Sequence, residues 1–456
     1  MSSVQRAVAQ TDAEVHIRYM TSTTRFRTEL AGVFATLALV GATTSCGLSH
    51  TTVSVPLRPD STLIRNDIAF LASDALEGRL TGTPGNDSAA AYIARRYQKL
   101  GLTPLTPGFL QPFDALSAED AHMGRTQPRH SENVVALLRG SDPVLKNEYV
   151  VIGAHFDHLG RETTYAQDPE AGNAIRNGAD DNASGTAAVM EIARIFSANP
   201  PKRSVVFANF SGEEEGLLGS EWFVSHPLVP LDHVVAMINF DMVGRLKNNK
   251  LIVYGTSTAT ELKPLLDSAN TALDGGSLTV TGIGDGYGPS DQTSFYSKDI
   301  PVLHFFTDQH EDYHRATDDV EKINSGGEAR VVSLALTIAR ELANRPSRLS
   351  FVRSAAPARA GMTREGSETY LGSVPDMSAT DVVGMKLMGV RPDSPADKGG
   401  LKTGDVIIEF GGLPVKDLYS YTDALYTHKP GDVVKVVVMR GTERVELTVT
   451  LGKRGG

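Results

Sequence analysis

The sequence predicts an α/β protein: a mostly parallel or mixed sheet flanked by helices over residues 60–345, with a small β-rich domain at residues 367–456. Three observations predict it. Short apolar runs recur at residues 149–154, 205–210, 234–240, 251–254 and 302–306, which is the length and continuity of strands buried on both faces. Helical periodicity separates them, as at residues 185–198. Beyond residue 345 the pattern changes to short strands and glycine-rich turns.

Taken in order, the chain of 456 residues begins with a leader-like segment, residues 1–48. Arg25 and Arg27 precede an apolar run at residues 30–42, which ends in Thr43, Thr44 and Ser45 before Cys46. Basic, apolar, then small residues is the order of an export signal. A run of about a dozen residues is well short of the roughly 20 that span a bilayer. The pattern reads better from Met20 than from Met1, so translation starting at Met20 is an expectation. Cys46 resembles the acylated cysteine of bacterial lipoproteins, although Thr43 stands where that motif prefers leucine; a plain cleaved signal is the alternative. The expected location is the periplasm or cell envelope, with membrane attachment only through Cys46.

At residues 90–101, Ile93, Tyr97 and Leu100 fall at helical spacing, and Gly101 stands where a helix end favours glycine. Residues 346–366, with scattered Arg, Ala, Pro and Ser, read as a linker. One helix is expected near residues 418–427. The 54 acidic against 44 basic side chains give a net charge of −10 and no basic cluster, which argues against a nucleic-acid partner. A single cysteine excludes an internal disulfide framework and a cysteine-rich zinc site.

The polar residues that matter stand where the buried strands end. Residues 149–154 run into His155 and Asp157, residues 205–210 into Glu213 and Glu214, and residues 234–240 into Asp241. In open parallel sheets the ligand crevice lies beyond the carboxyl ends of the strands, so these motifs converge. Asp180-Asp181 before a helix and Tyr313-His314 after the last run join them. Carboxylates and imidazoles crowded in one crevice call for divalent cations, and imidazole with carboxylate suits zinc or a similar first-row ion. Asp157, two residues beyond His155, is placed to accept the second ring hydrogen of His155 and fix its tautomer.

The series GAHFDHLG, NGADDNASGTAAVMEIAR, FANFSGEEEGLLGS, NFDMVGR and DYHRATDD resembles the M28 family of dinuclear zinc aminopeptidases across roughly residues 65–345. The stretch LASDALEGRLTGTPGN upstream looks like the lead-in of bacterial members. The resemblance implies two zinc ions: His155 and Asp241 on one, Glu214 and His314 on the other, and Asp181 bridging. It implies Glu213 as general base, because Gly216-Leu217 sets the register of the three glutamates. Hydrolysis of amino-terminal residues from peptides follows from it. Carboxypeptidase or glutaminyl-cyclase chemistry on the same scaffold, and a non-catalytic peptide-binding protein, are the alternatives. Residues 289–292, Pro-Ser-Asp-Gln, depart from a family segment that often reads Ser-Asp-His.

The last domain is similar to a bacterial PDZ domain through Ser394-Pro395-Ala396, Gly400-Leu401 and Gly404-Asp405. That resemblance implies a carboxyl-terminal peptide ligand, held on backbone amides around Leu371, Gly372 and Ser373. A β-rich domain that only packs on the core is the alternative.

Overall fold

The computed structural model describes residues 58–116, 127–163, 165–288, 290–353, 369–376, 382–391, 393–416, 420–421, 424–425 and 427–453. The leader expected at residues 1–48, Cys46 included, and most of the linker expected at residues 346–366 lie outside the described residues.

Strands β1 (Thr103–Pro104), β2 (Leu110–Ala115), β3 (Arg129–Leu138), β4 (Tyr149–His155), β5 (Ser204–Phe210), β6 (Val234–Phe240), β7 (Lys250–Tyr254), β8 (Thr279–Ile283) and β9 (Val302–Phe306) form one sheet. Its order is β1-β3-β5-β4-β6-β9-β7-β8, with β2 on β3. The centre, β5-β4-β6-β9, is parallel. On one side β3 runs antiparallel to β5; on the other β7 runs antiparallel to β9. The sheet is therefore mixed, and the hydrophobic run at β7 carried no sign of that reversal.

Strand alternation sorts the core into two layers. Val134, Ala136, Val150 and Ile152 face the helices Ser61–Leu71, Pro84–Lys99, Gly185–Ala198 and Ser325–Asn344. Val135, Leu137, Val151 and Val206 face Phe223 and Val224 of the helix Leu218–Ser225 and Phe295 of the helix Gln292–Tyr296. The helix Pro84–Lys99 begins six residues before the periodic stretch at residue 90, because Thr83 caps it by accepting from the Asn86 amide and Pro84 opens its first turn.

In the C-terminal domain, β10 (Thr369–Tyr370), β11 (Ser373–Pro375), β12 (Met385–Val390), β13 (Val406–Phe410), β14 (Leu413–Pro414), β15 (Val433–Arg440), β16 (Glu443–Thr450) and β17 (Gly452–Lys453) surround a small core of their own. The order is β11-β12-β13-β15-β16, with β14 on β13 and β10 on β17. Leu387, Ile407, Phe410, Val436 and Val449 fill the core. The helix expected at residues 418–427 falls partly outside the described residues.

Candidate active site

The parallel centre of the sheet delivers its polar residues to one end. His155 closes β4 with its side chain 1% exposed, and Asp241 directly follows β6. Glu213 and Glu214 stand in the turn after β5, between Gly212 at φ +77° and Gly216 at φ +114°, both left-handed values that favour glycine. Glu215 turns away to an ion pair with Arg129, which leaves Glu213 and Glu214 facing the imidazoles. Asp181 comes from the loop before the helix Gly185–Ala198. That loop is packed too tightly for a side chain at Gly178, where a Cβ would lie 2.0 Å from the Asp181 carbonyl and 2.5 Å from the His158 ring.

The distances form two linked groups. His155 Nε2 lies 3.4 Å from Asp181 Oδ1, 3.5 Å from Asp241 Oδ1 and 3.9 Å from Glu213 Oε2. His314 Nε2 lies 3.2 Å from Asp181 Oδ2 and 2.9 Å from Glu214 Oε2. The two oxygens of Asp181 thus face different imidazoles. The sets His155, Glu213, Asp241 and His155, Asp181, Glu214 each offer ligand atoms within 4.8 Å of one another.

Ring tautomers test whether a cation fits. His314 Nδ1 lies 2.8 Å from the Tyr165 carbonyl, which can only accept, so the proton sits on Nδ1 and the Nε2 lone pair faces the carboxylates. His155 Nδ1 faces the Asp157 carbonyl at 3.3 Å, with Asp157 Oδ1 at 3.6 Å. Nε2 of both rings and Asp241 Oδ1 are buried without a hydrogen-bond partner. Lone pairs of nitrogen and oxygen aimed at one another repel unless positive charge lies between them, so the donor set fits a metal.

Without a cation, protons would have to supply that positive charge. Burial presses the His314 imidazole down, but Glu214 and Asp181 outweigh it and push it up to about 11. His155 is likewise lowered by burial and held well above its usual range by Glu213 and Asp241. Burial raises Glu213 well above the usual carboxylate range, against the pull of His155. Glu214 goes the other way: burial is overcome by His314 and His158, and it stays well below.

Models of known families decide what this arrangement is. Peptidase family M28 matches residues 133–339, and the PDZ domain matches residues 362–451. Residues 133–339 form a peptidase family M28 domain, and a PDZ domain follows it. A probable zinc metalloprotease of Pyrenophora teres is 37% identical over 154 residues, covering 32% of this chain and 30% of that protein. Aminopeptidase YwaD of Bacillus subtilis is 26% identical over 201 residues, covering 42% and 41%. The chain therefore matches less than half the length of either relative. Among solved structures, an aminopeptidase from Aneurinibacillus sp. strain AM-1 matches with a TM-score of 0.51 and 18% identity, covering 66% of this chain and 98% of that one. A Zn-dependent exopeptidase from Parabacteroides distasonis (TM-score 0.52, 21% identity, 62% and 98% covered) and a glutaminyl cyclase from Bacteroides thetaiotaomicron (0.52, 17%, 63% and 99%) share the fold at the same level.

The M28 domain also holds residues whose placement the sequence did not announce. His158, in the GAHFDHLG stretch, is fully buried with Nδ1 2.7 Å from Glu214 Oε1. Asp318 accepts the amides of Asp180 and Asp181 at 2.9 and 3.1 Å, fixing the loop that carries Asp181. Arg79, from the lead-in LEGRLTG, is wholly buried and donates to the carbonyls of Phe156, Leu71, Asn177 and Gly178. Asp157 does more than face His155: its carboxylate accepts from Thr81 Oγ1 at 3.2 Å and from the Glu213 and Glu214 amides at 3.3 and 3.4 Å, tying two strand ends together. In the PDZ domain, Leu371 is buried, Gly372 has φ +89°, and Ser373 Oγ lies 2.8 Å from the Tyr421 hydroxyl.

Proposed function

We propose that the chain is an exported zinc aminopeptidase that removes amino-terminal residues from peptides. The observation that carries the reading is the pair of linked groups around Asp181, whose two oxygens face His155 and His314 in a nest of buried, unpartnered ligand atoms. His155 and Asp241 would hold one ion, Glu214 and His314 the other, with Asp181 shared. Zinc, when bound, supplies Lewis acidity toward a carbonyl and lowers the pKa of a water molecule.

Glu213, facing the same space without belonging to the shared set around Asp181, is the group that takes a proton from water and returns it to the leaving amine. Asp157 and His158 orient His155 and Glu214 from behind. The PDZ domain, through residues 371–373, would hold the carboxyl end of a longer peptide, the end opposite to the one cleaved. The export-signal order of residues 1–48 supports a location outside the cytoplasm, with acylation at Cys46 or a plain cleaved signal as the two outcomes that intact-mass analysis of the mature chain separates.

Metal analysis of the purified protein, with a panel of free and N-acetylated aminoacyl anilides, tests the reading. Two zinc ions per chain, hydrolysis of free substrates only and reversible loss on chelation are expected. Active protein with one ion would remove the bridging role of Asp181. Cyclisation of a glutaminyl peptide without hydrolysis would replace the aminopeptidase reading with the cyclase one.

A further inference from the structure

Tyr287 stands on the connection between β8 and the helix Gln292–Tyr296, yet only 1% of it is exposed. Part of what covers it belongs to the PDZ domain. Gly389, in β12, makes room for the ring: a Cβ there would lie 2.1 Å from the Tyr287 hydroxyl and 2.5 Å from Cζ. Arg391, just past β12, forms an ion pair with Asp285, and its guanidinium lies 5.6 Å from the Tyr287 ring centroid. Val374 of β11 packs on the apolar cluster that contains Tyr287, Phe295 and Tyr296.

The same segment reaches the crevice. The Tyr287 ring meets Tyr296 edge-on at 4.8 Å, and Gly288 and Thr293 exchange hydrogen bonds at 2.9 and 2.8 Å. Ser290 Oγ accepts from Asn239 at 2.9 Å and hydrogen-bonds Asp241. Asp291 is fully buried and lies within electrostatic reach of His155, Asp157 and Asp241. Residues 285–288 therefore touch the PDZ domain, and residues 290–292, close by in the chain, lie beside the proposed metal ligands.

We propose that the PDZ domain is a fixed part of the catalytic crevice: by seating Gly389 on Tyr287 and pairing Arg391 with Asp285, it holds residues 285–292, and with them Ser290 and Asp291, in place beside Asp241. Tyr287, Asp285 and Arg391 are positioning residues. A buried ion pair broken on one side leaves an uncompensated charge, so removing either partner weakens the docking at this contact. A segment freed by even about 1 Å costs on the order of 100-fold in rate when it lines a reacting site. Domain docking on this scheme acts on short and long substrates alike, unlike capture of a peptide's carboxyl end.

The inference rests on the peptidase reading only for its activity readout. The test uses the full chain with Gly389→Val, Arg391→Glu, Asp285→Arg and the combined charge swap. Hydrogen exchange by mass spectrometry follows the backbone of residues 286–295, and hydrolysis of a small aminoacyl anilide is measured in parallel. Expected in each single variant are faster exchange and a fall in kcat/KM of about 10- to 100-fold, the upper end being the cost of a full 1 Å misplacement, with zinc content unchanged. The charge swap should restore both. Unchanged exchange in both Gly389→Val and Arg391→Glu overturns the docking, and faster exchange with unchanged turnover overturns its role in the crevice. Wild-type protein without aminopeptidase turnover would count against the proposed function, while the exchange measurements still decide the docking.

Discussion

Replacing Arg79 by lysine keeps a positive charge and removes a fork. The guanidinium donates to four main-chain carbonyls: Phe156 at 2.7 Å, Leu71 at 2.5 Å, Asn177 at 2.7 Å and Gly178 at 3.1 Å. Phe156 lies between His155 and Asp157, and Asn177-Gly178 lead into the Asp181 loop, so one side chain ties together two segments that carry proposed metal ligands. An ammonium on a flexible stem cannot reach four divergent acceptors. The Gly178 carbonyl keeps its bond from the Ala183 amide; with one of the other three kept, two are buried unsatisfied at about 1–3 kcal/mol each, or about 2–6 kcal/mol in all. Total stabilities are about 5–15 kcal/mol, so the variant should fold with a clearly lower urea midpoint. Because the freed carbonyls belong to the ligand loops, zinc affinity measured against a competing chelator should fall about 10- to 100-fold, as for other supporting partners of ligands. A loss under about 1 kcal/mol together with unchanged zinc affinity would refute the clamp.

Glu213→Gln should retain zinc while turnover falls about 100- to 10,000-fold; loss of zinc in this variant, and its retention in Glu214→Gln, would shift the register by one residue. Gly178→Ala, at φ +56° and with its Cβ against the Asp181 carbonyl, should lower both melting temperature and zinc content, and a variant indistinguishable from wild type in calorimetry would contradict the packing. Glu221 is pushed up to about 7, by burial first and then by Asp376 of the PDZ domain. A carboxyl raised in the fold binds its proton more tightly than the unfolded chain does, so its contribution falls as pH rises from about 4.5 to about 7. Glu221→Gln should therefore stabilise the protein at pH 8 and change little at pH 4, and a gain confined to pH 4 would reverse the sign.

The parts of the fold legible in the sequence are those where burial wrote a continuous apolar run. The central strands β4, β5, β6 and β9 were readable within a residue or two, and their ends pointed to His155, Glu213, Glu214 and Asp241. β7 was visible as a strand, but its direction was not, since an apolar run looks the same in either sense. β3 escaped notice because its first residues, Arg129 to Asn133, are polar even where buried: Ser131 and Asn133 are satisfied by Ser211, Gln111 and Gly219. Arg79 and His158 were hidden for a different reason. Their partners are main-chain carbonyls and a glutamate 56 positions away, contacts that no local spacing encodes. The Tyr287–Gly389 seat was equally illegible, being a glycine's missing side chain matched to a ring in another domain.

The residues gathered at the crevice come from five separated places in the chain: His155, Asp181, Glu213 with Glu214, Asp241 and His314. Among the described residues no single hairpin or helix supplies both imidazoles and Asp181, and His314 follows β9, the last strand of its sheet to leave the ribosome. On the proposed ligand set, metal capture comes late. A nascent chain halted before residue 314 lacks one corner of the cage however well its earlier strands have paired. In refolding, zinc uptake should trail the recovery of sheet signal, making the bound metal a clock for completed assembly and keeping an unfinished peptidase silent while it is still being made.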